Sequence, residues 1–182
     1  MGKKTTQLST RHIEFISNQK IFFVATAAPT GTINLSPKGL DSLRVLDPQK
    51  VVWLNLTGSG NETAAHLMQD ARITLMFCAF EGPPQILRCY GQAKSYSPNT
   101  PLFKSHYGLF TPQLGARQII EIQVDLVQTS CGFGVPLMDF KANRTALTDW
   151  SNKLGSEALV AYQKKKNSRS LDGFGTDIAE PS

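Results

Sequence analysis

Residues 51–80 read VVWLNLTGSGNETAAHLMQDARITLMFCAF, and the hydrophobic period of this stretch changes twice. Residues 51–57 and 72–80 are apolar, β-prone runs of strand length. Between them Ala64, Leu67, Met68 and Ala71 recur at i, i+3, i+4 and i+7, which aligns one apolar stripe on a short helix. The stretch predicts strand, glycine turn, helix, strand. In the turn, Ser59 and Glu62 have the spacing of a capping box, where hydroxyl and carboxylate each satisfy one backbone donor. Capping needs no ligand. The alternative is an anion such as phosphate, since two glycines permit close approach and a helix start offers free N–H groups. Gly58-Ser59-Gly60 is followed by Thr63 where a dinucleotide fingerprint requires glycine, so that motif is excluded, as is a P-loop.

Outward from this unit, the chain reads as strands joined by tight turns. Upstream, Thr10 is placed to cap a short helix carrying Ile13 and Ile16. Residues 21–28 and 32–36 form a hairpin around Pro29-Thr30-Gly31, and residues 42–46 make a further strand. Pro37 lacks an N–H and is expected to end or interrupt the second hairpin strand, leaving Lys38 to face either a ligand or solvent. Downstream, residues 85–94 alternate as a strand with Arg88 in its middle, and residues 96–115 make an excursion around a short helix near 102–109. Residues 117–128 form the longest strand, with Ile120, Ile122, Val124 and Leu126 expected on one face. The run Cys131-Gly132-Phe133-Gly134 is a turn that could also cover a ligand, and residues 148–166 are helical with a weak point at Gly155. Residues 1–9 and 168–182 are polar and expected to be loosely held around a single domain spanning 10–167.

With 182 residues, of which 41% are hydrophobic, the chain suits one domain with one sizeable core. The fold class expected is mainly β: an antiparallel β-barrel of about six to seven strands with peripheral helices. Most connections are too short for the crossover helices of a parallel sheet. The net charge of +5 is spread along the chain, which gives nucleic-acid binding no support. No run is apolar and long enough to span a membrane, and no signal core follows the N-terminus, so a soluble, cytoplasmic protein is expected. Cys78, Cys89 and Cys131 share no metal spacing with His12, His66 or His106. A hairpin symmetric about the two prolines at 83 and 84 would bring Cys78 opposite Cys89, and two reduced, buried thiols are the expected state.

Three blocks, IFFVATAAPTGTINLSPKG, VVWLNLTGSGNETAAHL and RITLMFCAFEGPPQILRCYG, together resemble the pyridoxamine 5′-phosphate oxidase-like FMN-binding split barrels over about residues 11–131. The resemblance implies FMN held noncovalently between two protomers of a homodimer. It places Asn34, Ser36, Pro37, Lys38 and Gly39 beside the ring and ribityl chain. It brings Thr57, Gly58, Gly60, Asn61, Glu62 and Thr63 towards the phosphate, with Arg88 close by. Where the oxidase has a basic pair at the helix start this chain has Glu62-Thr63, and where it has a strand arginine this chain has Ser36. Lys38, Arg72 or Arg88 are then the cations left to neutralise the phosphate. The oxidase's C-terminal arginine and histidine segment has no counterpart here. The implied activity is flavin-dependent oxidoreduction of a small molecule, with a noncatalytic store for FMN or another planar cofactor such as haem as the alternative.

Overall fold

The computed structural model describes residues 2–178. Expectations for Met1 and for residues 179–182 lie outside the described residues. The elements run β1 (Lys4–Thr5), α1 (Thr10–Asn18), β2 (Phe22–Ala27), β3 (Ile33–Lys38), β4 (Leu43–Asp47), β5 (Lys50–Leu56), α2 (Glu62–Leu67), β6 (Arg72–Cys78), β7 (Ile86–Tyr96), α3 (Pro101–Tyr107), β8 (Ala116–Ser130), α4 (Ala146–Leu154) and α5 (Ser156–Asn167). All pairings are antiparallel, in the order β3-β2-β6-β7-β8-β5-β4, with β1 extending the β5 side of β8. β3 and β4 do not pair, so the barrel is split. Eight strands replace the expected six to seven because the N-terminal segment contributes β1 and buries Leu8 instead of fraying.

The core lies inside the curled sheet, where Val24, Trp53, Leu75, Phe77, Leu87 and Ile122 are almost fully buried. A second cluster on the outer face packs Val52, Leu54 and Ile119 beneath Phe103 and Phe110. Both faces of the central strands are thus covered, so β5 is buried almost end to end rather than in alternation.

Several sequence expectations are corrected by the register. Pro37 does not end β3; the strand runs through it to Lys38, paired with Phe22. That is tolerated because β3 is a sheet edge, where a missing donor costs little. A bulge leaves Asp125 unpaired between Val124 and Leu126. The extra residue reverses the facing of everything after it, so Val127 enters the core in place of Leu126. Gly91 sits opposite this bulge, and a Cβ there would lie 1.9 Å from the Gln123 carbonyl oxygen. The β6–β7 hairpin pairs Cys89 with Leu75 and Cys78 with Ile86, so the two thiols do not face each other. Ser9, not Thr10, caps α1, accepting the His12 N–H while His12 Nδ1 accepts the Ser9 N–H. The expected C-terminal helix divides into α4 and α5 at Gly155, whose φ of +77° an L side chain rarely adopts.

Candidate functional site

A cleft of about 1030 Å³ opens where the ends of β3 and β5 meet a segment returning from β8. After β8, Val135 N–H bonds to the Gly132 carbonyl and closes the expected turn. The chain then runs back along the β6–β7 loop, with Met138 N–H on the Phe80 carbonyl at 2.9 Å and Phe140 N–H on Glu81 Oε1 at 3.0 Å. Residues 138–147 thereby form one wall of the cleft, and Pro37, Lys38 and Gly39 form the other. Trp53, Asn55 and Thr57 line it from β5 and the turn beyond.

The charged residues of this cleft are Lys20, Lys38, Glu81, Asp139 and Arg144, and burial shifts the ionisation of Lys38. Its ammonium stands 5.1 Å from the centre of the Trp53 ring and has no carboxylate or hydrogen-bond partner among the described residues. Burial, reinforced by the positive charge of Arg117, pushes its pKa down from 10.5 to about 8. Arg117 lies at the start of β8, only 4% exposed. Its Nη2 donates to Asn55 Oδ1 and its Nη1 to the Gly60 carbonyl, while Nε has no partner. Burial lowers Arg117 to about 10, against the opposing charge of Asp177. Asn55 also donates to Gln118 Oε1 and Asn61 Oδ1, linking the cleft wall to the cation behind it. A buried arginine behind a lysine that reaches into the cleft sets up a repulsion that a nearby negative charge would relieve.

The predicted site residues separate into two groups. Pro37, Lys38, Gly39, Thr57 and Gly58 border the cleft. Asn34, Ser36, Gly60, Asn61, Glu62 and Thr63 do not line it; they lie in a polar network around the α2 start. Asn34 Nδ2 donates to Thr26 Oγ1 and Thr63 Oγ1, and its Oδ1 accepts from Ser36. The network is closed by the C-terminal segment, which is bonded rather than loose. Asn167 donates to the Gly58 carbonyl and accepts at its own carbonyl from Asn61 and Thr176. Leu171 N–H bonds to Glu62 Oε2, and Asp172 Oδ2 accepts the N–H and hydroxyl of Thr32. Asp177 accepts from Gln118 and Ser95.

The Ser59–Glu62 capping box is absent for the same reason. Asn61 occupies the cap position without a side-chain bond, and Glu62 turns to the tail instead. With a carboxylate at its first residue and the tail across it, the six-residue α2 presents no open anion site. The other cations suggested for a phosphate stand elsewhere. Arg72 is tied to Asp70 on an exposed surface, and Arg88 donates to Ser130 Oγ outside the cleft. Trp53, Asn55 and Arg117 were not legible as site residues, because only strand pairing shows that they share the end where Lys38 emerges.

This arrangement defines a class: an open antiparallel split barrel with a cleft at the strand ends into which a lysine reaches. The chain belongs to the pyridoxamine 5′-phosphate oxidase family, whose model matches residues 8–131. It is similar to the pyridoxamine 5′-phosphate oxidase family protein ustO of Aspergillus flavus, at 38% identity over 86% of this chain and 70% of that protein. In fold it is similar to a candidate pyridoxamine 5′-phosphate oxidase from Lactobacillus delbrueckii, with a TM-score of 0.54 at 16% identity over 68% of this chain and 94% of that one. It also resembles HupZ of Group A Streptococcus, with a TM-score of 0.51 at 20% identity over 65% of this chain and 91% of that one. Among the described residues no helix is long and apolar enough to cross a membrane, and no cluster of His, Cys, Asp or Glu could hold a metal.

Proposed function

We propose that this protein is a flavin-dependent oxidoreductase that holds FMN noncovalently in the cleft beside Lys38 and acts on a small molecule in the cytoplasm. The observation that carries the reading is the unpaired Lys38 ammonium above Trp53, held next to a second buried cation. An anionic cofactor relieves the repulsion between Lys38 and Arg117, so the residues present fit its phosphate. Pro37, Gly39 and Gly58 border the cleft with backbone that a planar group can approach closely. When bound, a flavin supplies two-electron chemistry, and the protein contributes binding, orientation and exclusion of water. The α2 start, closed by the tail, takes no part.

Family membership supports a homodimer, and the sheet edge offers a surface for one. Ile33 and Leu35 on β3 are 78% and 63% exposed, side by side on a strand with one unpaired edge.

The test begins with absorbance and mass of whatever small molecule the purified protein releases. Dissociation constants for FMN and riboflavin then isolate the phosphate. The wild type is expected to favour FMN about ten- to a hundredfold, as one charge-assisted bond implies, and Lys38→Met to abolish the preference. Equal affinities in the wild type would reject the reading. Reduction of bound flavin by a nicotinamide donor, followed by turnover with an acceptor, separates an enzyme from a flavin store.

A further inference from the structure

The cleft does not end at Lys38. A second chamber of about 460 Å³ adjoins it, with an apolar side made by Ile13 and Ile16 of α1, Phe22 of β2, Leu43 and Val45 of β4, and Phe77 of β6, and a polar side that includes Ser17, Asp41 and Arg44. Gln19, Lys20, Leu40, Ser42 and Asn143 line both spaces, so the two are continuous. Arg44 and Asp41 on the polar side neutralise each other: Arg44 forms a bidentate pair with Asp41, donates to the Leu109 carbonyl and lies over the Phe110 ring. Lys20, at the junction with the main cleft, is the remaining charge of its lining.

Leu40 stands at the junction with φ of +60°, the one non-glycine residue with positive φ among the described residues. A bulky side chain in the left-handed region persists only where its surroundings hold it, and such positions gather at ligand sites. Here the loop is held from both sides. Ser42 Oγ donates to the Gly39 carbonyl, and the Ser42 carbonyl accepts the Leu54 N–H from β5. The backbone is thus bent so that Leu40 lines both the main cleft and the apolar side of the chamber.

Resting on the reading of the main cleft as a flavin site, we propose that this chamber is a substrate subsite that takes an apolar arm, an alkyl chain or aromatic ring, with Leu40 setting how far the arm enters. The substrate class is an amphipathic molecule whose reactive, polar end stays in the main cleft. The chamber, at about 460 Å³, lies within the range of small-molecule sites, about 300–1000 Å³, and the main cleft, at about 1030 Å³, stands at its upper end, so together they leave room for cofactor and substrate at once. Lys20, exposed where the spaces join and placed against the Phe140 ring, provides a cation for the polar end.

The chain-length dependence of binding by the full-length protein tests this, with primary alcohols from 1-butanol to 1-octanol as probes in isothermal titration. Each added methylene buried in the chamber is expected to tighten binding about fourfold until the space is filled. Val45→Phe and Ile13→Phe, which fill the chamber from opposite walls, should each flatten the series while the protein keeps its melting behaviour. Leu40→Gly, suited to the positive φ, should extend the increase to longer alcohols. A flat series in the wild type, or a series unchanged by both filling variants, overturns the subsite. Flavin content of the same preparations is read by absorbance. Flavin binding with a flat series removes the subsite alone, whereas a rising series in protein that binds no flavin overturns the assignment of the arm to a flavin substrate.

Discussion

Glu62, the first residue of α2, accepts the backbone N–H of Leu171 at 3.0 Å, across 109 positions of chain. That bond, with Asp172 on Thr32 and Asp177 on Gln118, straps the C-terminal segment over the helix start. Gly31 is shaped to receive it: its φ is +92°, and a Cβ there would lie 2.7 Å from Asp172 Oδ2.

The strap predicts how the protein responds to loss of its anchors. Asp172→Ala leaves the Thr32 donors to solvent and should expose the chain near Arg169 to trypsin faster than in the wild type. Glu62→Gln keeps one acceptor but loses charge, costing about 1 kcal/mol or less in thermal stability. Unchanged cleavage in Asp172→Ala would show that the remaining bonds, among them Leu171 to Glu62 and Asp177 to Gln118, hold the segment without it.

Lys38 gives the protein without a bound anion an unusual pH dependence. Its pKa is about 8 when folded and the ordinary 10.5 when unfolded, with burial the main cause and Arg117 the second. Between these values the unfolded chain holds more protons, so stability rises with pH from about 8 to 10.5, by at most about 3 kcal/mol from this group. Below pH 8 the penalty for burying the charge is fully present. Lys38→Met should raise melting temperature at pH 7 and remove the rise. In wild-type protein the preference for FMN over riboflavin should decline as pH passes 8, since a neutral amine does not pair with phosphate.

The thiols should react in two classes. Cys131 is exposed, whereas Cys78 and Cys89 are buried, and burial pushes the Cys89 thiol up to about 12 and raises Cys78 as well. One fast and two slow reactions with a thiol reagent are expected in native protein. Three equivalent thiols should appear after denaturation. A disulfide between Cys78 and Cys89 is excluded by a register that sets each opposite another residue, so fewer than three would contradict the fold.

The exposed β3 edge predicts the consequence of charging it. Leu35→Lys should dissociate the proposed dimer in sedimentation without lowering monomer stability, because Leu35 makes little contact within its own chain. A monomeric wild type would reject this interface.

Much of the barrel was legible from residues 51–80 and their neighbours because strand period, turn glycines and loop length are local properties. The β5–α2–β6 order and the hairpins follow from them, whereas the weak point read at Gly155 proved to be a full break between two helices. Other features depend on residues far apart in sequence. Glu62 has the spacing of a cap, yet a donor from Leu171 competes for the same carboxylate, and local pattern holds no record of that rival. Pro37 can continue a strand only because β3 is an edge, and Asp125 bulges where Gly91 lets two backbones approach closely. Arg117 looked like an ordinary charge at a strand start. Folding seals it behind Asn55 and beneath the tail, leaving Nε without a partner and Lys38 with a like charge nearby. Sequence alone determined which residues could be strand, turn or cation. Tertiary structure decided which cations are desolvated together, because that depends on what covers them.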